Sequence, residues 1–296
     1  MSQAIMKQDR VLFLGCGDLG SRAGGILLDS GMAVAGARRD PSRLPDGFQR
    51  FYADYLQPDS LACIADFNPD YIVASFKPTS RDVAGYTAGF LEASRNLREA
   101  LSGSQLRRLI FISSTRVFAE QGGGWVTEES PLATSDPAAG TMIEAQALLA
   151  AAVPTTAIYF SGIYGDSRGR LLSRVGRGEL VEEQPGYFSN RIHRQDAGAF
   201  IAYLLLVDRD GRAKDGLAPA YIGSDNQPAL QYEVEHWLAE QLGVVPDGEG
   251  IPAPRMSPGH KRCNNSLLRA TGFELRYPDY RSGYAAVLDQ VSRPPG

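Results

Sequence analysis

One glycine hexad constrains the fold of this chain more than any other stretch. Gly15-Cys16-Gly17-Asp18-Leu19-Gly20 follows directly on Val11 to Leu14, an apolar run too short for a helix. Ser21 to Ser30 then carries a helical pattern stopped by Gly31, and Ala33 to Ala37 reads as a second buried strand. In a strand–turn–helix of this kind the three glycines do different things. Gly15 permits the tight turn, Gly17 lets the backbone approach a pyrophosphate, and Gly20 lets helix and strand pack closely. The phosphates would sit on the free N–H groups and positive dipole end of the helix. A glycine-rich turn alone is weak evidence. Here the flanking strand, helix and second strand all fall where a dinucleotide site needs them.

The residues ending the second strand choose between the two nicotinamide dinucleotides. An Asp or Glu at this place would bind the ribose 2′-hydroxyl of NAD, whereas this chain has Arg38 and Arg39. A guanidinium pairs with a 2′-phosphate that a carboxylate would repel. The bland alternative is a solvated arginine pair, since 26 of the 30 basic residues are Arg. The expected cofactor is NADP, with NAD less favoured.

A net charge of −4 and a pI near 5.5 argue against a nucleic-acid or anionic-membrane partner. The longest apolar run, Ala199 to Val207, is too short to span a bilayer, and Met1 to Asp9 lacks the apolar segment of a secretory signal. Three scattered cysteines, Cys16, Cys63 and Cys263, predict reduced thiols in a cytoplasm. His193, His236 and His260 form no ligand spacing, so no metal site is expected.

Further strands are predicted at Gln49 to Ala53, Asp70 to Ser75, Leu109 to Ser113 and Thr155 to Phe160, with helices at Ser60 to Phe67, Ser80 to Leu101 and Thr141 to Ala152. This alternation predicts a parallel sheet covered on both faces. Beyond Gly162 the rhythm changes. A short helix is expected at Arg168 to Gly178, others at Asp196 to Val207 and Ala229 to Leu242, a strand at Ala220 to Gly223, and a loop from Gly243 to Pro258.

Taken in order, several segments give the chain a family likeness. It resembles the extended or atypical short-chain dehydrogenase/reductases, particularly the NAD(P)-dependent epimerase/dehydratase group. GCGDLG matches that family's phosphate loop, FISSTRVF at 111–118 its strand-five signature, and SGIYG at 161–165 the segment lining nicotinamide and substrate. NRIHRQDAGAFIAYLL at 190–205, the stretch from Tyr221 to Gly243, and KRCNNSLLRATGFELRYPDYRSG at 261–283 continue the likeness. The resemblance implies an α/β fold: a doubly wound parallel Rossmann sheet over residues 1–163 and about 192–226, with a small C-terminal substrate-capping region from about 164–191 and 227–296. It implies Asp54 at the adenine, Ser75 among the cofactor residues, Ser114 as the catalytic serine with Thr115 beside it, a small-molecule substrate, often a nucleotide sugar, and a homodimer. The dimer would form through the helices at Ser80–Leu101 and Thr141–Ala152, where Ala84, Ala88, Ala93, Ala145 and Ala151 add apolar positions beyond one core-facing stripe.

One departure outweighs any match. The family's acid/base pair is Tyr-x-x-x-Lys, and aligning residues 142–149 with its helix puts Asp136 at the Tyr position and Gly140 at the Lys position. No Tyr lies between Tyr86 and Tyr159, and no Lys between Lys77 and Lys214. Without a phenol poised near neutral pH, hydride transfer loses its usual proton partner. Tyr164, Asp136 and His193 are the candidate substitutes. Each has a structural alternative: a packed aromatic, a helix cap and a hydrogen-bonded buried ring; Glu144 is expected on the solvated side of its helix. Two functions stay open: an oxidoreductase or epimerase/dehydratase with a rebuilt proton relay, and an NADP(H)-binding sensor that has lost catalysis. Non-redox lyase chemistry on a bound nucleotide is a third, weaker reading.

Overall fold

The computed structural model describes residues 8–246, 250–252 and 257–292, so the expectations for Met1 to Asp9 and Gly243 to Pro258 fall partly outside it. In chain order the elements are β1 (Arg10–Leu14), α1 (Asp18–Asp29), β2 (Ala33–Arg38), β3 (Gln49–Tyr52), α2 (Cys63–Phe67) and β4 (Tyr71–Ala74). Next come α3 (Val83–Tyr86), α4 (Ala93–Ala100), β5 (Arg108–Ser114), β6 (Trp125–Val126), α5 (Pro137–Ala150), β7 (Thr155–Phe160) and β8 (Gly162–Tyr164). The remainder comprises α6 (Arg170–Val175), β9 (Phe188–Ser189), β10 (Arg191–His193), α7 (Arg194–Arg209), β11 (Ala220–Gly223), β12 (Ala229–Leu230), α8 (Gln231–Leu242), β13 (Arg262–Cys263), α9 (Ser266–Ala270) and α10 (Tyr280–Ser292).

A seven-stranded parallel sheet runs β11-β7-β5-β4-β1-β2-β3. Val11 to Leu14, Tyr71 to Ala74 and Leu109 to Phe111 are almost without exposed surface, as central parallel strands must be when both faces are covered. The strand order reverses between β1 and β4, which places the turns after Leu14 and Ala74 side by side. Crevices at such switch points are where open α/β sheets take ligands.

Two compact units divide the chain. The first holds residues 1–113, 134–158 and 198–220, the second 114–133, 159–197 and 221–296. In the first, α5 packs along α3 and α4. The single helix expected over Ser80–Leu101 is interrupted: Asp82 caps α3 through the Gly85 N–H (2.8 Å), and a π-helical segment, Thr87–Glu92, joins α3 to α4. The backbone approaches the 77–80 segment so closely there that a Cβ on Gly85 would collide with Ser80, and one on Gly89 with the Lys77 carbonyl. Helix α5 begins four residues earlier than expected, because Asp136 accepts from the Ala139 N–H (2.8 Å) and Pro137 occupies the first turn.

The second unit has its own core, in which Leu172, Val175 and Leu180 pack with Val234, Leu238, Tyr280, Tyr284 and Val287. Its short strand pairs, β10 with β8, β12 with β9 and β13 with β6, escaped sequence reading. Two or three residues carry no readable alternation. Glu235, fully buried, organises part of this unit: its carboxylate takes the Val181 N–H (2.7 Å), the Gln231 amide (2.6 Å) and the Arg174 guanidinium.

Candidate active site

In the first unit the turn after β1 meets the ends of β2 and β4 around a cavity of about 450 Å³. Gly15 sits at φ +76°, and a Cβ there would collide with the Ser75 carbonyl, so only glycine makes this turn. Gly20 lies against β1: its Cβ would come within 3.0 Å of Cys16 Sγ and 3.3 Å of Phe13. Gly17 differs from both, since a Cβ there would meet nothing nearer than its own loop at 3.9 Å. It also stands at the N-terminus of α1, a twelve-residue helix, with no side chain to cap the first N–H groups. Backbone that approachable, at a helix N-terminus, suits a pyrophosphate.

The expected cofactor residues divide by occupation. Gly15, Gly17, Arg38, Arg39, Asp54 and Ser75 line the cavity together. Arg38 is already committed, its Nη1 donating to the Cys16 carbonyl at 3.1 Å and tying β2 to the phosphate loop. Arg39 is exposed. Asp54 accepts from the Leu56 N–H (3.2 Å). Asp18 and Leu19 do not line the cavity; Asp18 pairs with Arg22 at 3.0 Å on the surface of α1. Burial pushes the Cys16 thiol up to about 11, so it is unreactive within the loop.

Arg43, Tyr55, Phe76 and Lys77 also line the cavity, and none was an expected cofactor residue. The Tyr55 ring lies 4.7 Å from Phe76 and presents Cε1 toward Gly15. Their signal was position, since Phe76 and Lys77 follow the carboxyl end of β4. Arg43 sits on the 3₁₀ turn Pro41–Arg43, whose location only the chain's path past Asp40 reveals. Arg38, Arg39, Arg43 and Lys77 face Asp40 and Asp54, leaving the cavity net cationic.

The second unit carries the other candidates. Ser114 caps the short turn Thr115–Val117, its Oγ accepting from the Arg116 N–H at 3.2 Å. The Thr115 side chain lies beside the buried Cys263 thiol. The Tyr164 hydroxyl lies on α10: it reaches the Asp279 carbonyl at 3.5 Å, and a Cβ on Gly283 would collide with it. Its ring contacts Tyr284 (4.4 Å) and His193 (5.3 Å), and burial raises its pKa well above that of a free phenol. His193 is buried against Tyr277, ring centroids 4.1 Å apart, with Nδ1 accepting from the Gln195 N–H. Asp136, in the first unit, serves as the cap of α5, and Glu144 is 60% exposed beside Arg95. An acid missed from sequence is Asp225. It is fully buried, its Oδ1 accepts from the Gln227 N–H (3.0 Å), and desolvation pushes its pKa up to about 7 against the pull of Arg191.

No family model and no curated protein matches the chain. Among solved structures, a Methylobacillus flagellatus protein described as an NAD-dependent epimerase/dehydratase is 35% identical, with a TM-score of 0.81 over 97% of this chain and 100% of that one. The chain belongs to the NAD-dependent epimerase/dehydratase family. More distant structures share this family's fold. UDP-glucose 4-epimerase of Thermus thermophilus, solved with NAD, is 20% identical, with a TM-score of 0.78 over 95% of this chain and 98% of that one. The Bordetella bronchiseptica enzyme WbmG, solved with NAD and UDP, is 17% identical, with a TM-score of 0.76 over 96% of each chain. Helix α5 contains neither tyrosine nor lysine. Among the described residues no helix is long and apolar enough to cross a membrane, and no cluster of three metal-ligating side chains occurs.

Proposed function

We propose that the chain is an NADP-dependent oxidoreductase or epimerase/dehydratase-like enzyme, acting on a small carbonyl or hydroxyl compound or a nucleotide sugar through a non-standard proton relay. The cationic cavity beside the Gly15–Gly20 loop carries this reading. Arg39 and Arg43 are the free guanidinium groups that would pair with a 2′-phosphate, while Arg38 holds the loop that receives the pyrophosphate. Tyr55 and Phe76 would offer an aromatic wall to the adenine. The bound nicotinamide would supply or accept a hydride. Ser114 and Thr115 would donate to a substrate oxygen, and the enzyme would work as a cytoplasmic homodimer.

The dimer face on α3, α4 and α5 is narrower than sequence reading implies. Ala93 and Ala145 are buried in the first unit, whereas Val83, Ala84 and Ala151 are exposed. Sedimentation at micromolar concentration should give a dimer; a monomer would remove that part of the proposal.

Titration of NADPH and NADH by fluorescence tests the cofactor. NADPH should bind at least about tenfold tighter, the worth of one charge-assisted pair. Arg39→Glu should abolish the preference while sparing NADH. Arg38→Asp should weaken both cofactors, because it also unties the loop. Equal wild-type affinities would refute the reading.

A specific observation favours a second reading, an NADP(H)-binding sensor without catalysis. Tyr164 is committed to α10 and Asp136 to its cap, so neither candidate donor is idle. Tight NADPH binding with no turnover on carbonyl and nucleotide-sugar panels would establish the sensor.

A further inference from the structure

Lys261 has no exposed surface, an unusual place for an ammonium. Its Nζ donates to the carbonyl of Phe118 at 2.8 Å and to that of Thr115 at 3.1 Å, with the Phe118 ring centroid 5.8 Å away. Both carbonyls belong to the one turn that Ser114 begins. The Ser114 hydroxyl closes the N–H end of that turn at Arg116, and the lysine closes its carbonyl end. The Thr115 carbonyl also receives the Phe118 N–H (3.3 Å), so the ammonium sits on the turn's own hydrogen bond.

The lysine is held from behind. Asn190 donates to the Lys261 carbonyl and accepts from the Cys263 N–H, each at 2.8 Å, while β13 pairs with β6. Lys261 therefore grips Thr115 through its main chain, while the Cys263 N–H anchors the strand that follows the lysine.

We propose that Lys261 is a positioning residue that fixes the orientation of the Ser114 hydroxyl by clamping the carbonyl end of its turn. This rests on the reading of Ser114 as the hydroxyl that orients substrate. A cation on the last carbonyls of a helical turn opposes their partial negative charge. It also supplies a donor to the buried Phe118 carbonyl and a second one to that of Thr115. The ionisable groups facing the ammonium are Arg116 on the turn, Glu120 beyond it and Cys263 on its own strand; burial draws Lys261 down to about 8.

Isotope-labelled protein titrated from pH 6.5 to 9.5 tests the clamp by NMR. The carbonyl carbons of Thr115 and Phe118 and the amide of Arg116 should move together with one midpoint. Carbonyls that titrate while the Arg116 amide stays still would overturn the proposal. In Lys261→Met, amide exchange at Arg116 and Phe118 should quicken at least about tenfold, while Arg262 and Asn264, bonded across to the Gly124 and Val126 carbonyls, keep their protection. Lys261→Arg should restore the turn. Unchanged exchange, or uniform loosening of the whole unit, would make Lys261 an ordinary structural lysine. Should Lys261→Met not fold, the wild-type titration decides alone. None of these readouts needs turnover. An active enzyme whose rate is untouched by Ser114→Ala, with the titrations still coupled, would sink the Ser114 reading and leave the clamp standing.

Discussion

Asp225 should make the protein less stable as pH rises through neutrality, and replacing it by asparagine should remove that loss. The carboxyl is fully buried, and its folded pKa is pushed up to about 7 from an ordinary 3.8, mainly by desolvation. A carboxyl whose folded pKa is raised binds its proton more tightly folded than unfolded. Its stabilising proton is fully present below the unfolded pKa and is lost as pH climbs to the folded one. Relative to a permanently neutral side chain, the wild-type penalty works out at about 2 kcal/mol at pH 5.5 and about 4 kcal/mol at pH 8. Asn keeps an oxygen to accept from the Gln227 N–H, so Asp225→Asn changes charge more than packing. Paired urea titrations at the two pH values read the difference, and every other titrating group cancels between variant and wild type. The stability advantage of Asp225→Asn should grow by about 2 kcal/mol across that interval. An advantage that is flat with pH, or a variant less stable than wild type at pH 8, would refute the argument by showing that the pull of Arg191 exceeds the cost of burial.

Gly17→Val should weaken NADPH binding at least about tenfold with little change in melting temperature, because its side chain would enter open space above the loop; unaltered binding would move the phosphates elsewhere. Gly15→Ala should instead destabilise the fold itself, through positive φ and collision with the Ser75 carbonyl, and a melting temperature equal to wild type would contradict that. Asp136→Ala should cost about 1 kcal/mol in urea denaturation as a lost helix cap, whatever its effect on catalysis. Glu235→Ala should cost about 3–5 kcal/mol, since it strands the Arg174 charge and the Val181 N–H; a loss under about 1 kcal/mol would mean that water reaches the site.

The parallel sheet was legible because its signal is local. Val11 to Leu14 and Tyr71 to Ala74 are short buried runs of apolar and aromatic residues, and each became a strand at the switch point. The interruption between α3 and α4 was not legible. It arises from where the backbone passes Lys77 and Ser80, and Gly85 and Gly89 announce only that something comes close. The start of α5 is written in Asp136-Pro137, a cap-and-proline pair that alignment with the family's Tyr position obscures.

The candidate site divides along the same physical line. Gly15 and Gly20, whose roles depend on backbone shape, announce themselves by spacing, since Gly15 combines positive φ with collision on the Ser75 carbonyl and Gly20 packs against β1. Residues whose role depends on what lies opposite them do not. Arg38 and Arg39 are adjacent and chemically identical, yet one is spent on the Cys16 carbonyl and the other reaches solvent. Lys261 stands 146 residues beyond the turn it clamps, and Asp225 looks like any acid after a strand until burial lifts its pKa. Helix α5 contains neither Tyr nor Lys, so a proton donor in this chain must be sought by environment rather than by motif. Perturbed ionisation marks such groups better than residue type. By that environment Lys261 is spent on two carbonyls and Asp225 accepts from the Gln227 N–H, while burial holds the Tyr164 proton more tightly than in a free phenol, so each is committed to the fold of the second unit.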